Sequence, residues 1–276
     1  LTIDATTVET GGASSTDSAT HAVTVRAVAD LPSISASNPT VNEDPASPIP
    51  FAVTASLVDT DGSEVLNQVD VTFTSFSGTI PALNWNTGLP GTVTGIANGH
   101  RFTGTTAQVQ ALLASLTVTP QANNGTDIGI RVVAQAQETN PSEVGEVATL
   151  TATRTSNFTI NMVPVADQPN VTAPGIGTPF NTEEDTAVTL TGLGGSLVDT
   201  DLSEVLTYRI LNVPVGAGFG GVGSNLGGGI WQFTKAQVDA GLNFTPPSGF
   251  SGTVNMTLRA IATETENSVT SANDAV

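Results

Sequence analysis

Ser56 to Leu66 reads SLVDTDGSEVL and returns 140 residues later, at Ser196 to Leu206, as SLVDTDLSEVL, with ten of eleven positions identical and every carboxylate kept. A chain that repeats itself over this distance must fold as a tandem array, and each unit must accommodate the same acidic loop. The copies extend beyond it. Val28-Ala29-Asp30 returns as Val165-Ala166-Asp167, Asn42-Glu43-Asp44 as Glu183-Glu184-Asp185, Ala107-Gln108-Val109 as Ala236-Gln237-Val238, and Thr119-Pro120 as Thr245-Pro246. The offset falls from 140 at the acidic loop to 126 at Thr245, which places a deletion inside the second unit. A period near 140 residues is too long for a solenoid repeat and right for a whole domain.

A third copy is present in part, because Ile130 to Thr139 aligns with Leu258 to Asn267 and with Leu1 to Thr10. The expected organisation is residues 1–30 as the tail of a preceding repeat, 31–167 as a complete repeat, and 168–276 as a second repeat that stops before its last strand.

Twenty-five acidic against seven basic residues give a net charge of -18, which disfavours nucleic acid and anionic membranes as partners and favours divalent cations. Cysteine is absent, so neither disulfides nor thiolate metal sites can brace these units. No stretch is long and apolar enough for a membrane span, and no basic segment followed by an apolar one opens the chain. With aromatics at 5%, aliphatic cores are expected.

Short Val, Thr, Ile and Ala runs alternate with Gly, Pro, Asn and Asp clusters, the pattern of an all-β chain of tandem antiparallel β-sandwich domains. Each unit also predicts one short helix, Thr105 to Leu113 and Thr234 to Ala240, with a threonine N-cap. Counting strands at about 3.3 Å per residue places the acids. The 13 residues from Asp30 to Glu43 cross a sandwich, so Glu43 and Asp44 belong at the pole far from the preceding linker. The next strand returns Asp59, Asp61 and Glu64 to the near pole beside Asp30, and the last hairpin brings Glu138 there too.

Each linker should therefore collect carboxylates from three sources. For the linker at Asp167 the set is Glu43, Asp44, Asp167, Asp199, Asp201, Glu204 and Glu266; for that at Asp30 it is Asp30, Asp59, Asp61, Glu64 and Glu138. Glu184 and Asp185 are the second unit's candidates at its own far pole. Converging carboxylates repel one another, and Ca2+, with six to eight oxygen ligands in a flexible shell, turns that repulsion into a cross-link. Mg2+ demands a tighter octahedron.

The linker Pro164 to Asp167, the E-D-T step at Glu184 to Thr186, the D-x-D-x-S-E-V-L loop at Asp199 to Leu206, the run Thr245 to Thr253 and A-T-E-T-E at Ala262 to Glu266 together resemble a known family. It comprises the cadherin-like repeats of giant type I-secreted, RTX-type bacterial adhesins. The resemblance implies Ig-like extender domains, stiffened by interdomain calcium, that hold a distal binding region away from the bacterial cell surface for attachment and biofilm formation. The first unit departs from it with Glu43-Asp44-Pro45 and with Gln121-Ala122-Asn123-Asn124-Gly125 after Pro120.

Other motifs have blander readings. The acidic loop is not an EF-hand, since Glu64 falls where that loop needs glycine and Ile210 takes the twelfth position. Gly216 to Gly221 fits G-x-G-x-x-G, but more glycine follows where a helix is required, so a flexible loop is expected. His21 and His100 do not recur between copies and cannot supply a repeated catalytic base, so a non-enzymatic chain is expected. Two alternatives to the spacer stay open: a filament subunit completed by strand exchange with other copies end to end, and a carbohydrate- or surface-binding module using Val215 to Gly229.

Overall fold

The computed structural model describes residues 1–23, 27–59, 62–139, 150–174, 178–199 and 201–275. The chain is all-β, built of almost wholly antiparallel sheets with one short helix in each of two cores. It opens on an exposed hairpin of β1 (Thr2–Val8) and β2 (Ser14–Thr20). The strands around the first core are β3 (Ser33–Ala36), β4 (Thr40–Asn42), β5 (Ile49–Pro50), β6 (Val53–Ser56), β7 (Glu64–Ser75), β8 (Ala82–Asn84), β9 (Thr92–Ile96), β10 (Gly99–Thr103), β11 (Thr117–Thr119), β12 (Ile128–Glu138) and β13 (Thr151–Val163). One sheet has the order β4-β13-β12-β7-β10-β9, with β4 parallel to β13; β5-β11-β8 and β3-β6 form the smaller sheets.

The second core repeats the plan with β14 (Asn170–Thr172), β15 (Val188–Leu190), β16 (Gly194–Ser196), β17 (Glu204–Leu211), β18 (Ser224–Gly227), β19 (Ile230–Thr234), β20 (Leu242–Phe244), β21 (Thr257–Glu264) and β22 (Thr270–Ala275). Its main sheet runs β18-β19-β17-β21-β22. In this sheet β22 pairs with β21 as β13 pairs with β12. The second unit is expected from its sequence to stop before its last strand, but β22 is present and is reached by a short turn, Thr265 to Val269.

The helices α1 (Thr106–Ala114) and α2 (Lys235–Asp239) each begin with a reciprocal capping box, Thr105 with Gln108 and Thr234 with Gln237. Alternation along β7 and β17 sends Leu66, Val69 and Val71, or Leu206, Tyr208 and Ile210, into the cores. An extra residue at Asn67, opposite the step from Gln135 to Ala136, shifts the β7 register and lets Leu66 and Val69 both face inward. The same parity makes the first residue of each strand, Glu64 and Glu204, point to the core side at the pole.

Both cores are mainly aliphatic, as expected, but the second also carries an aromatic cluster. Phe219, from the glycine-rich loop, is buried with its ring centroid 5.0 Å from Phe233 and 5.6 Å from Phe244. That loop is anchored in the core, and Gly223 has to be glycine because a Cβ there would lie 2.3 Å from the Phe233 ring.

Candidate metal centre at the junction

The linker Pro164 to Asp167 is held from both sides. After β4, Glu43 bonds its own N–H to the Val163 carbonyl at 3.0 Å, which aims its side chain along the linker; its Oε1 accepts the Val165 N–H at 2.5 Å. Two residues on, the Asp167 N–H donates to Glu204 Oε1 at 2.9 Å. One glutamate from each unit thus grips the connecting backbone. The Ala166 side chain between them is buried.

The acidic loop folds on itself beside this clamp. The Asp201 N–H donates to Asp199 Oδ1 at 3.1 Å, and the Ser203 N–H to Asp201 Oδ1 at 2.8 Å. Asp201 Oδ2 reaches across the junction to accept the Gly125 N–H at 2.8 Å, and Asn123 Nδ2 donates to the Val198 carbonyl at 3.2 Å. Gly125 must lack a side chain, since a Cβ would sit 2.8 Å from Pro164 Cγ.

Two groups of carboxylates result, each with ligand atoms within 4.8 Å of one another: Glu43, Asp199 and Asp201, and Asp199, Glu204 and Glu264. They share Asp199. Glu204 and Glu264 stand directly opposite in the β17–β21 ladder, a like-charge pair that an uncompensated sheet disfavours. Glu43 Oε2, Glu204 Oε2 and Glu264 Oε2 are buried with no hydrogen-bond partner. Burial, with a smaller push from neighbouring carboxylates, lifts Glu43 and Glu204 from 4.5 to about 7 against the pull of their backbone hydrogen bonds. Burial likewise raises Glu264, and burial with the nearby Asp44 raises Asp167. At Asp201 burial is outweighed by hydrogen bonds from Ser203 and Gly125, so its carboxyl stays low and ionised.

Of the expected set at this linker, Glu43, Asp199, Asp201 and Glu204 come together. Asp167 is held by its backbone, and Asp44 is exposed in the left-handed region (φ 52°), where its Oδ1 takes the Asn123 N–H at 2.7 Å. Glu266 is a correction: it is exposed, and Glu264, two residues earlier and fully buried, takes the position expected of it. Glu264 is the counterpart of Glu138. Ser203 Oγ bonds Glu264 and Ser63 Oγ bonds Glu138, while the Thr265 and Thr139 N–H groups bond the carbonyls of Ser203 and Ser63. A shift of two residues preserves the strand's in-and-out pattern, so alternation alone could not separate Glu264 from Glu266. The run A-x-A-x-E-T at Ala134 to Thr139 and again at Ala260 to Thr265 was the available signal.

At the preceding linker the Asp30 N–H bonds Glu64 Oε1, as Asp167 bonds Glu204, and Glu64 faces Glu138 across the sheet. Glu64 and Glu138 are buried, Glu64 Oε2 has no hydrogen-bond partner, Asp59 is half-buried, and Asp30 is exposed. Asp61 lies outside the described residues. Glu184 and Asp185 are exposed at the second unit's far pole and join no three-carboxylate group among the described residues; Asp185 (φ 60°) accepts the Gly249 N–H at 2.9 Å, repeating the role of Asp44.

No family model matches the sequence, and no curated protein does. Among solved structures the chain is similar to repeats EC1-3 of mouse protocadherin-24, at 12% identity and a TM-score of 0.36, over 100% of this chain and 77% of that one. It is also similar to zebrafish RET cadherin-like domains 1 to 4, at 11% identity and a TM-score of 0.23, over 99% of this chain and 56% of that one. A third likeness, at 9% identity and a TM-score of 0.21, is to the C-terminal domain of the Streptococcus agalactiae AgI/II polypeptide BspA, over 99% of this chain and 98% of that one.

Proposed function

We propose that this chain is a run of non-enzymatic spacer domains from an extracellular adhesion-type protein, divided at Asp30 and Asp167, whose junctions bind Ca2+ and stiffen when they do. The observation that carries this is the clamp. Glu43 and Glu204 each spend one oxygen on a linker N–H and keep the other buried without a hydrogen-bond partner, beside Asp199, Asp201 and Glu264. Buried carboxylate oxygens with no donor are costly unless a cation supplies the missing charge. The donors are all oxygens, they come from both units, and Ca2+ tolerates such an irregular shell better than Mg2+. When bound, the ion cancels the mutual repulsion of these carboxylates. Glu43 and Glu204 then fix the linker backbone between two domains that can no longer swing apart. Extracellular modules of this type saturate at about millimolar Ca2+, so high affinity is not required.

The finer context is the one the sequence resembles: extender repeats of an RTX-type adhesin, exported by type I secretion and serving biofilm formation, with neighbouring repeats as the immediate partners. The repeat pattern and the poles at which the acids sit support it.

Small-angle X-ray scattering of this chain in millimolar Ca2+ and in excess EGTA tests the function. A long, narrow distribution of distances with calcium that broadens without it is expected. Coincident profiles would remove the calcium-stiffened spacer.

A further inference from the structure

The loop that meets the acidic turn across the junction contains Asn124-Gly125, and we propose that this pair is a modification site whose reaction the closed junction suppresses, so that it records how often the two units part. In an Asn-Gly sequence the backbone nitrogen of the glycine attacks the asparagine Cγ. The N–Cγ bond forms, the bond to Nδ2 breaks, and Nδ2 leaves as ammonia carrying the proton lost by the glycine nitrogen. Water then opens the cyclic imide at either carbonyl, giving an aspartyl or an isoaspartyl residue at position 124. Glycine favours this chemistry because no Cβ shields its nitrogen.

Every atom the reaction needs is engaged. The Gly125 N–H donates to Asp201 Oδ2 at 2.8 Å, and that carboxylate belongs to the other unit. Asn124 is 7% exposed; its Oδ1 accepts the Thr126 N–H at 3.0 Å and its Nδ2 donates to the Ser77 carbonyl at 3.3 Å. The nucleophile is thus held by a contact that exists only while the units are docked. The residues cannot be exchanged cheaply either, because a Cβ on Gly125 would collide with Pro164. Reaction would place a carboxylate against the Ser77 carbonyl and, in the isoaspartyl case, lengthen the backbone at the point where Gly125 packs on the linker. A junction left open would therefore lose its ability to close. This holds whichever cation the junction takes.

The chain contains its own clock. Asn98-Gly99 lies in the turn between β9 and β10, with β10 three strands across the sheet from β13, which leads into the linker, and with no bond to the second unit among the described residues. The test incubates the native chain, the chain in urea, and the variant Asp201→Ala at mildly alkaline pH, and quantifies conversion at both asparagines by peptide mapping. Native conversion at Asn124 at least about tenfold slower than in urea is expected, together with a rise in the Asn124-to-Asn98 ratio in the variant. If native Asn124 converts at its urea rate, or the variant leaves the ratio unchanged, the proposal is overturned. Should Asp201→Ala bring both sites to their urea rates, Asn123→Ala decides. It removes the bond to the Val198 carbonyl while keeping every carboxylate of the acidic loop, and an unchanged ratio there refutes the protection.

Discussion

Replacing Glu204 by glutamine should stabilise the second unit without calcium and destabilise it with calcium. Glutamine keeps the acceptor that holds the Asp167 N–H, so the clamp geometry survives while one charge is removed. That charge lies within 4.8 Å of its Asp199 and Glu264 neighbours. Coulomb's law at this distance and an effective dielectric of about 20 gives roughly 3 kcal/mol of repulsion per pair. The lift of the Glu204 carboxyl from 4.5 to about 7 corresponds to a similar cost, about 3 kcal/mol, for ionising it in the folded state. Relaxation and salt reduce both, so a gain of about 1 to 3 kcal/mol above neutral pH is expected in EGTA.

The sign with pH follows. The folded-state value lies above the unfolded one, so between 4.5 and about 7 the folded chain binds more protons, and wild-type stability in EGTA falls as pH rises through 7. The advantage of the variant should therefore fade below that pH. In saturating calcium the wild type gains binding energy, about 2.7 kcal/mol at a hundredfold excess over Kd, and loss of a ligand oxygen removes much of it. Urea denaturation in a Trp85→Phe background lets Trp231, packed 5.3 Å from Phe219, report the second unit alone. A variant less stable than wild type in both EGTA and calcium would refute the electrostatic account, since the residue would then be acting through packing.

Two other substitutions test local physics by the same measurement. Leu202 is 93% exposed at φ 72°, where the first unit's loop has Gly62 at φ 83°; Leu202→Gly should stabilise by about 1 kcal/mol, and a loss would show that the leucine makes a contact worth its strain. Tyr208 is fully buried with an unpartnered hydroxyl, so Tyr208→Phe should be neutral or stabilising by about 1 kcal/mol, whereas a clear loss would point to a bound water or ion at that oxygen.

Much of this architecture was legible in the residues. Period-two alternation and turn clusters marked the strands, and a threonine N-cap marked both helix starts because capping is a purely local device. Strand counting brought Glu43 to Asp199 and Asp201 across the linker. Less legible were features decided by three-dimensional packing. The glycine-rich loop reads as flexible, yet Phe219 finds an aromatic pocket whose members are distant in sequence. Leu202 also gives no warning that it adopts a backbone conformation in which glycine is preferred.

The Glu264 case bears on why the proposed function is placed at the junction and not at any single motif. On β21, Leu258, Ala260, Ala262 and Glu264 all face inward, so Glu264 is a core position by parity and an acid by chemistry. A lone buried glutamate of this kind would be expected to be replaced by an apolar residue, since uncompensated burial of charge destabilises a fold. Instead each core of the array opens and closes its central strand pair on glutamates, Glu64 with Glu138 and Glu204 with Glu264, and offers the linker N–H of Asp30 or Asp167 to one of them. Retaining two such residues costs each domain stability on its own. On the calcium reading proposed above, a second domain and a cation would complete the shell and tie the folding energy of each unit to its attachment to the next.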